Sequence, residues 1–407
     1  MGYRFSHEDV RYLGSAAGNA ALTEVALLEL TPATHLRDLE QVRRTHGDRT
    51  AALIETVRLR RRAGAKLLDA AQWLFTDDAL QQATPTLVAR QRAARLAGRT
   101  VHDVTCSIGA ELVELARVCP AVLGSDLDEV RLAFAAHNLG PHWHEAAEPG
   151  PLASAGGPAE RTRNVMLVRA DALRPSSRDT VIIADPARRA DGRRTHDPAA
   201  LSPPLPDLLA AYAGRDLAVK CAPGLDFDRL GWSGEVEVVS LDGSVREACL
   251  WSAGLTESGV TRRATVLSAK GAAWTITDAE PDDIDERAPG QWIIDPDGAI
   301  VRAGLVRHYA SKYGLWQLDP RIAYLTGDTV PEGVRGFRIL DRMDFREKIL
   351  RAELHRRDCG PLEILVRGVD VDPDALRSRL KLHGTRPHTL VITRIGRAAT
   401  VFLCSTP

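Results

Sequence analysis

The chain of 407 residues is too long for one ordinary core, so two or three domains are expected. Hydrophobic residues at 44% and charged residues at 26% mark a folded chain and exclude wholesale disorder. The net charge is −1, yet residues 301–407 hold 19 Lys/Arg against 12 Asp/Glu, a net +7, which leaves −8 for residues 1–300; a basic final third points to a polyanionic partner.

The six cysteines are scattered, with no CxxC pair and no histidine at zinc spacing, so no metal site is expected and the thiols fit a reducing cytoplasm. No apolar run approaches eighteen residues and the first fifteen carry no apolar leader core. A cytoplasmic protein without a membrane anchor is therefore expected.

Residues 1–97 read as a helical domain. Thr31-Pro32 has the form of a helix start, and helical spacing of apolar residues runs from Thr50 to Phe75. Arg58, Arg60, Arg61 and Arg62 on that helix read as a solvated face, with RNA contact as the alternative. Thr84-Pro85 opens a further helix that Gly98 ends. From 98 to about 255 short apolar runs alternate with helices. Strands are predicted at Thr100–Val104, Ala121–Ser125, Asn164–Val168, Thr180–Ala184 and Leu217–Cys221, with helices at Ile108–Val118 and Asp128–Leu139. That alternation predicts an α/β domain with a parallel sheet covered on both faces. Val236–Ser240 and Ala248–Trp251 lie too close for a crossover helix and should pair antiparallel. A connecting α+β region over 256–330 contains a hairpin near 262–277 and the acidic turn Glu280–Asp283. A small α+β domain over 331–407 closes the chain, with a strand at 361–370, a helix at Pro373–Leu382 and a final hairpin.

Chemistry gathers at the strand ends. Asp103-Val104-Thr105-Cys106-Ser107-Ile108-Gly109 is a turn of mostly small residues opening a helix, where a ligand can approach backbone and helix N-terminus. It is neither GxGxxG nor a Walker loop. Asp126, 23 residues after Asp103, stands where a carboxylate accepts from both ribose hydroxyls, or caps the next helix. Asp171-Ala172 follows the third strand, where a carboxylate meets an adenine amine. The fourth strand ends abruptly in Asp185-Pro186-Ala187-Arg188. Polar signals at four strand ends mark a ligand crevice in an open α/β sheet.

These motifs, in this order, resemble those of class I S-adenosylmethionine-dependent methyltransferases. Gln82-Ala83-Thr84-Pro85, the Asp185-to-Arg189 block, Ser202-Pro203-Pro204, Pro223-Gly224, Pro296-Asp297 and Arg321-to-Leu325 look more narrowly like bacterial methyltransferases with a C-terminal THUMP-like domain. The resemblance implies a Rossmann-like sheet and S-adenosyl-L-methionine as cofactor. Asp103, Thr105, Cys106, Ser107 and Gly109 would line the methionine end, Asp126 would hold the ribose, and Leu127 would pack on the adenine. Asp171 and Ala172 would meet the adenine edge. Asp185 and Pro186 would face the acceptor, with Arg188 stacking on a base or pairing with a phosphate.

The implied reaction is methylation of a base nitrogen in structured RNA, by in-line positioning more than by a strong base. The implied partner is RNA, held by a THUMP-like module carrying Arg367, Arg377, Arg379, Lys381, Arg386, Arg394 and Arg397. Three alternatives stay open. One is a small-molecule methyltransferase. Another is a uracil-C5 RNA methyltransferase with Cys221 as nucleophile. The third is an inactive RNA-binding protein, because Thr105 and Ser107 stand where the family has glycine.

Overall fold

Side-chain caps set the first helix boundaries in this computed structural model, which describes residues 2–68, 70–140, 164–187, 189–190, 193–194, 197–285 and 287–405. Helix α1 (His7–Leu13) opens with a capping box: the Ser6 hydroxyl accepts from the Asp9 amide, and the Asp9 carboxylate accepts from the Ser6 amide. Ser15 caps α2 (Ala16–Ala26). Pro32 opens no helix. Thr31 and Thr34 instead accept from each other's amides, and α3 (His35–His46) begins only after them. Helix α4 (Thr50–Ala63) stops at Gly64, short of the helix expected through Phe75; Leu67 and Leu74 reach the core from irregular backbone. Helices α5 (Asp77–Gln82) and α6 (Thr86–Arg95) follow.

The arginines of α4 have partners, although Arg61 and Arg62 stay exposed. Arg60 donates to the Trp73 and Gln72 carbonyls, and Arg62 pairs with Asp77. Arg61 donates to the Ala26, Leu28 and Glu29 carbonyls, satisfying the end of α2. Beneath them Leu13, Leu22, Val25, Leu53, Val57 and Phe75 form one buried cluster that includes Phe134.

The chain divides into two compact units, Met1–Glu235 with Glu247–Glu257, and Val236–Arg246 with Ser258–Pro407. In the first unit β1 (Thr100–Asp103), β2 (Ala121–Asp126), β3 (Val165–Arg169) and β4 (Val181–Ala184) are joined through α7 (Ala110–Val118) and α8 (Glu129–Leu139). A two-residue hairpin, β5 (Arg189–Ala190) and β6 (Arg193–Arg194), and helix α9 (Leu205–Ala211) precede β7 (Leu217–Cys221). Strands β8 (Glu235–Leu241) and β9 (Ser244–Trp251) flank a two-residue turn at Asp242-Gly243, both left-handed, which is hairpin geometry. The sheet of the first unit runs β3-β2-β1-β4-β7-β9, parallel except for β9 against β7. Its order reverses between β1 and β4, and such a switch point opens a crevice at the strands' carboxyl ends.

In the second unit β8 pairs parallel with β10 (Arg262–Leu267), whose hairpin partner is β11 (Ala273–Thr277). After β12 (Trp292–Ile294), α10 (Gly298–Ala303), α11 (Val306–Tyr313), β13 (Trp316–Gln317) and β14 (Leu325–Gly327) comes the terminal module. Its elements are β15 (Gly336–Asp344), α12 (Glu347–Arg356), β16 (Cys359–Arg367), α13 (Pro373–Leu380), β17 (Arg386–Ile395) and β18 (Ala398–Ser405). The sheet order is β13-β14-β12-β15-β18-β17-β16. Strands β17 and β18 are buried on both faces: Leu390, Ile392, Val401 and Leu403 pack with Leu350 and Leu376 of the helices, while Val391 and Phe402 pack with Tyr324 and Phe337.

Charge as well as apolar surface ties α6 to the first sheet. Arg92, 3% exposed, donates to Glu111 of α7 at 2.7 Å and pairs with Glu247 of β9. One turn on, Arg95 lies over the Trp251 ring at 3.9 Å and bonds Glu235 at 2.6 Å. Removing one member of a buried ion network strands its partners. Arg92→Met is expected to cost about 3–5 kcal/mol, read by denaturant unfolding of the full chain; an unchanged midpoint would contradict this brace.

Candidate active site

A cavity of about 730 Å³ occupies the crevice at the carboxyl ends of β1, β2 and β4, a size suited to a cofactor. Asp103, Thr105, Cys106, Ser107, Asp126, Leu127, Asp171, Ala172 and Asp185 all line it. Gly109 and Pro186 do not. Gly109 caps α7 in the left-handed region at φ 80°, and a Cβ there would stand 3.2 Å from the Ala135 Cβ, so its role is close helix packing. Pro186 is buried beneath the loop. Arg188 lies outside the described residues.

The turn after β1 is held by side-chain acceptors. Asp103 Oδ1 accepts from the Thr105 amide at 3.0 Å, and Thr105 Oγ1 accepts from the Asp185 amide at 2.7 Å. Thr105 thereby joins the ends of β1 and β4, a link that glycine could not make. Of the two departures from glycine, only Ser107 adopts positive φ, at 49°. Its amide donates to Asp126 Oδ2 at 3.0 Å, and Asp126 Oδ1 accepts from the Asp128 amide at 2.9 Å. The cap of α8 is Asp128, not Asp126. Beside this ring Leu127 is 61% exposed, an apolar surface next to a carboxylate. Asp171 Oδ1 accepts from the Leu173 amide at 2.9 Å.

Three lining residues were not singled out from sequence. Lys220 of β7 is 6% exposed, and its Nζ pairs with Asp185 Oδ2. The visible signal was a lysine inside an otherwise apolar strand, LAVKC, buried throughout. Glu111, in the first turn of α7, reaches the cavity while bonded to Arg92. Gln82 of α5 belongs to the block quoted above only for its resemblance, and it also lines the cavity. Side chains alternate along a strand, so Cys221 faces away from Lys220. Its thiol is buried, lies 3.8 Å from the Val219 carbonyl and does not line the cavity. That placement gives no support to the cysteine-nucleophile alternative.

The lining is acidic, and burial pushes the Asp103 carboxyl up to about 7, helped by the charges of Glu111 and Asp185 against the opposing Thr105 amide and Lys220. His102, behind it on β1, bonds Ser177 at 2.7 Å and Ser125 at 2.9 Å, and burial holds it down at about 4. It is neutral at pH 7 and structural.

Residues 334–406 match the THUMP domain-like family, and residues 6–63 match a domain of unknown function. Over 376 residues the chain is 53% identical to a Mycobacterium tuberculosis protein, found in strains CDC 1551 and H37Rv and named an uncharacterized S-adenosylmethionine-dependent methyltransferase. The match covers 89% of this chain and 99% of that one. This chain belongs to the S-adenosylmethionine-dependent methyltransferases. A crystal structure of a Porphyromonas gingivalis W83 protein assigned as a methyltransferase shares the fold at 17% identity, with TM-score 0.71 over 99% of this chain and 100% of that one.

The residues present fit the cofactor, because a ligand with a sulfonium and an ammonium suits a cavity lined by Asp103, Asp126 and Asp171. Asp103 gives this methyltransferase a pH signature. A cationic ligand favours the ionised carboxylate, which is populated above about 7 and lost below it, so affinity falls with acidification. Calorimetry between pH 8 and 5.5 is expected to show weakening that approaches roughly tenfold per unit below the Asp103 value, and Asp103→Asn is expected to flatten it. An equal slope in that variant would contradict the assignment.

Proposed function

We propose that this methyltransferase moves the methyl group of S-adenosylmethionine to a base nitrogen in structured RNA. The observation that carries the reading is Asp185. It stands at the carboxyl end of the strand beside the switch point, lines the cavity, and is fixed by the Thr105 hydroxyl on its amide and by Lys220 on its carboxylate.

The bound cofactor supplies an electrophilic methyl group. Asp126 would hold the ribose hydroxyls, Leu127 would pack on the adenine, and Asp171 with Ala172 would meet the adenine edge. Asp103, Thr105, Cys106 and Ser107 would line the methionine end. Asp185 accepts an N–H of the acceptor, turns the nitrogen lone pair toward the methyl, and takes the proton released once the N–C bond has formed. Pro186 stiffens this loop from below, since proline fixes φ. The loop is also tied to Ser202-Pro203-Pro204 by a pair of backbone bonds between Ala187 and Ser202, at 2.8 and 3.0 Å. Positioning of this kind accounts for most of the rate in reactions that need no strong base.

RNA as the acceptor rests on the terminal module. We assign a helical domain to 1–97, the methyltransferase domain to 98–255, a connecting region to 256–330 and the THUMP-like domain to 331–407, a type associated with RNA binding. Its cations divide into two sets. Arg367, Arg377 and Arg379 are paired with Asp295, Asp374 and Glu347. Lys381, Arg386 and Arg397 are exposed, as are Arg338, Arg342, Arg346, Lys348 and Arg351 along β15 and α12, and these supply charge for phosphate contacts. Among the described residues no helix is long and apolar enough to cross a membrane, and no group of three or more His, Cys, Asp or Glu is placed to hold a metal. A cytoplasmic setting, where RNA is met, belongs to the same proposal.

Asp185→Asn keeps the side-chain shape and removes the charge. It is expected to bind S-adenosylmethionine within about twofold of wild type while methyl transfer to RNA falls on the order of 100-fold, the scale of a lost positioning contact. Transfer at the normal rate would refute the role of Asp185.

A further inference from the structure

Arg92, with Glu111 and Glu247, and Lys220, with Asp185, form two ion-paired groups near the cavity, and they differ in one respect. Arg92 and Glu247 do not line it, whereas Lys220 and Asp185 both do. Lys220 is 6% exposed, while the Asp185 side chain is 33% exposed. Burying an ammonium costs several kcal/mol that a single carboxylate only partly offsets, and a well-packed apolar pair would serve a purely structural purpose as well. Lys220 carries three N–H donors and uses one on Asp185 Oδ2; among the described residues no second acceptor is hydrogen-bonded to its Nζ. Asp185 Oδ1 likewise has no hydrogen-bond donor among the described residues. Among the described residues the cavity thus presents an acceptor and donors without further partners side by side, on two strand ends that β4–β7 pairing fixes in register.

We propose that Lys220 and Asp185 together read an amidine edge, an exocyclic amine next to a ring nitrogen that has a lone pair, so that Lys220 is a specificity-determining residue for the acceptor. This rests on the RNA-base reading above and narrows it. Asp185 accepts from the amine and Lys220 donates to the adjacent ring nitrogen. Adenine, cytosine and guanine each present such an edge; uracil has no amine, and a ribose hydroxyl has no neighbouring ring nitrogen to engage the ammonium. The amine attacks with its own lone pair: the N–C bond forms, the S–CH₃ bond breaks with its electron pair left on sulfur, and the extra proton on nitrogen passes to Asp185. No proton has to be removed before attack, so the paired Asp185 is sufficient. A wrong acceptor leaves the Lys220 donors unmatched in a desolvated place, which penalises it strongly.

The test uses the full chain, methyl-labelled S-adenosylmethionine and total RNA from cells lacking the enzyme, with the labelled RNA digested to nucleosides. Label in an N-methylated exocyclic amine of adenosine, cytidine or guanosine is the expected result. Label in a 2′-O-methyl nucleoside, a C5-methyl pyrimidine or a ring-nitrogen methyl would overturn the amidine reading while leaving RNA as acceptor. Absence of RNA labelling by wild type would overturn the RNA reading itself. On the labelled RNA, at saturating S-adenosylmethionine, Lys220→Met is expected to lower kcat/KM for RNA at least tenfold, chiefly through the KM for RNA, with partial recovery in Lys220→Arg. Wild-type kcat/KM in Lys220→Met would sink the assignment, whichever nucleoside carries the label.

Discussion

Burying a charge in a sheet is costly unless a counter-charge goes with it, and this chain buries several in its first unit. Lys220 and Asp185 come from neighbouring strands, and Asp103 sits one strand further along, with its carboxyl held near neutrality. Below them Arg92 joins α6, α7 and β9 through Glu111 and Glu247. The arrangement does structural and functional work with the same groups. Pairing keeps the cost of burial bearable, and the strand ends hold the carboxylates where a cationic cofactor can use them. An uncharged crevice of the same shape would pack more easily and not recognise it.

The turn over β1 shows how the family pattern survives the loss of two glycines. Thr105 exchanges backbone freedom for a hydroxyl that captures the Asp185 amide, so the cofactor turn and the acceptor loop are one hydrogen-bonded unit. Ser107 accepts the positive φ that glycine would take more easily, and its amide is satisfied by Asp126. Both departures are therefore built into the site, which favours a working cofactor turn over a decayed one.

Much of this was legible in the sequence because strand ends punctuate it. Short apolar runs closed by Asp103, Asp126, Asp171 and Asp185 gave both the sheet and the lining of its crevice, and the strand–helix–hairpin of residues 359–405 followed from period and turn residues. Lys220 was hidden because an isolated lysine in LAVKC carries no sign of what lies beside it on β4. Arg92, Glu111 and Glu247 are separated by up to 155 residues and only topology brings them together. Helical spacing ran on past Gly64 because the residues beyond it are apolar for a different reason, packing from irregular backbone. Arg60 and Arg61 of α4 looked unpartnered because their partners are carbonyls, which leave no mark in a sequence. The pairing of Arg367, Arg377 and Arg379 with Asp295, Asp374 and Glu347 was likewise not visible in the sequence.

The central claim is that the acid-lined crevice between β1 and β4 is an S-adenosylmethionine site, and its most direct test is titration calorimetry of the purified full chain with S-adenosylmethionine and, separately, with NAD. The account predicts saturable one-to-one binding of S-adenosylmethionine and none of NAD. No heat with S-adenosylmethionine, or equal binding of NAD, would contradict it.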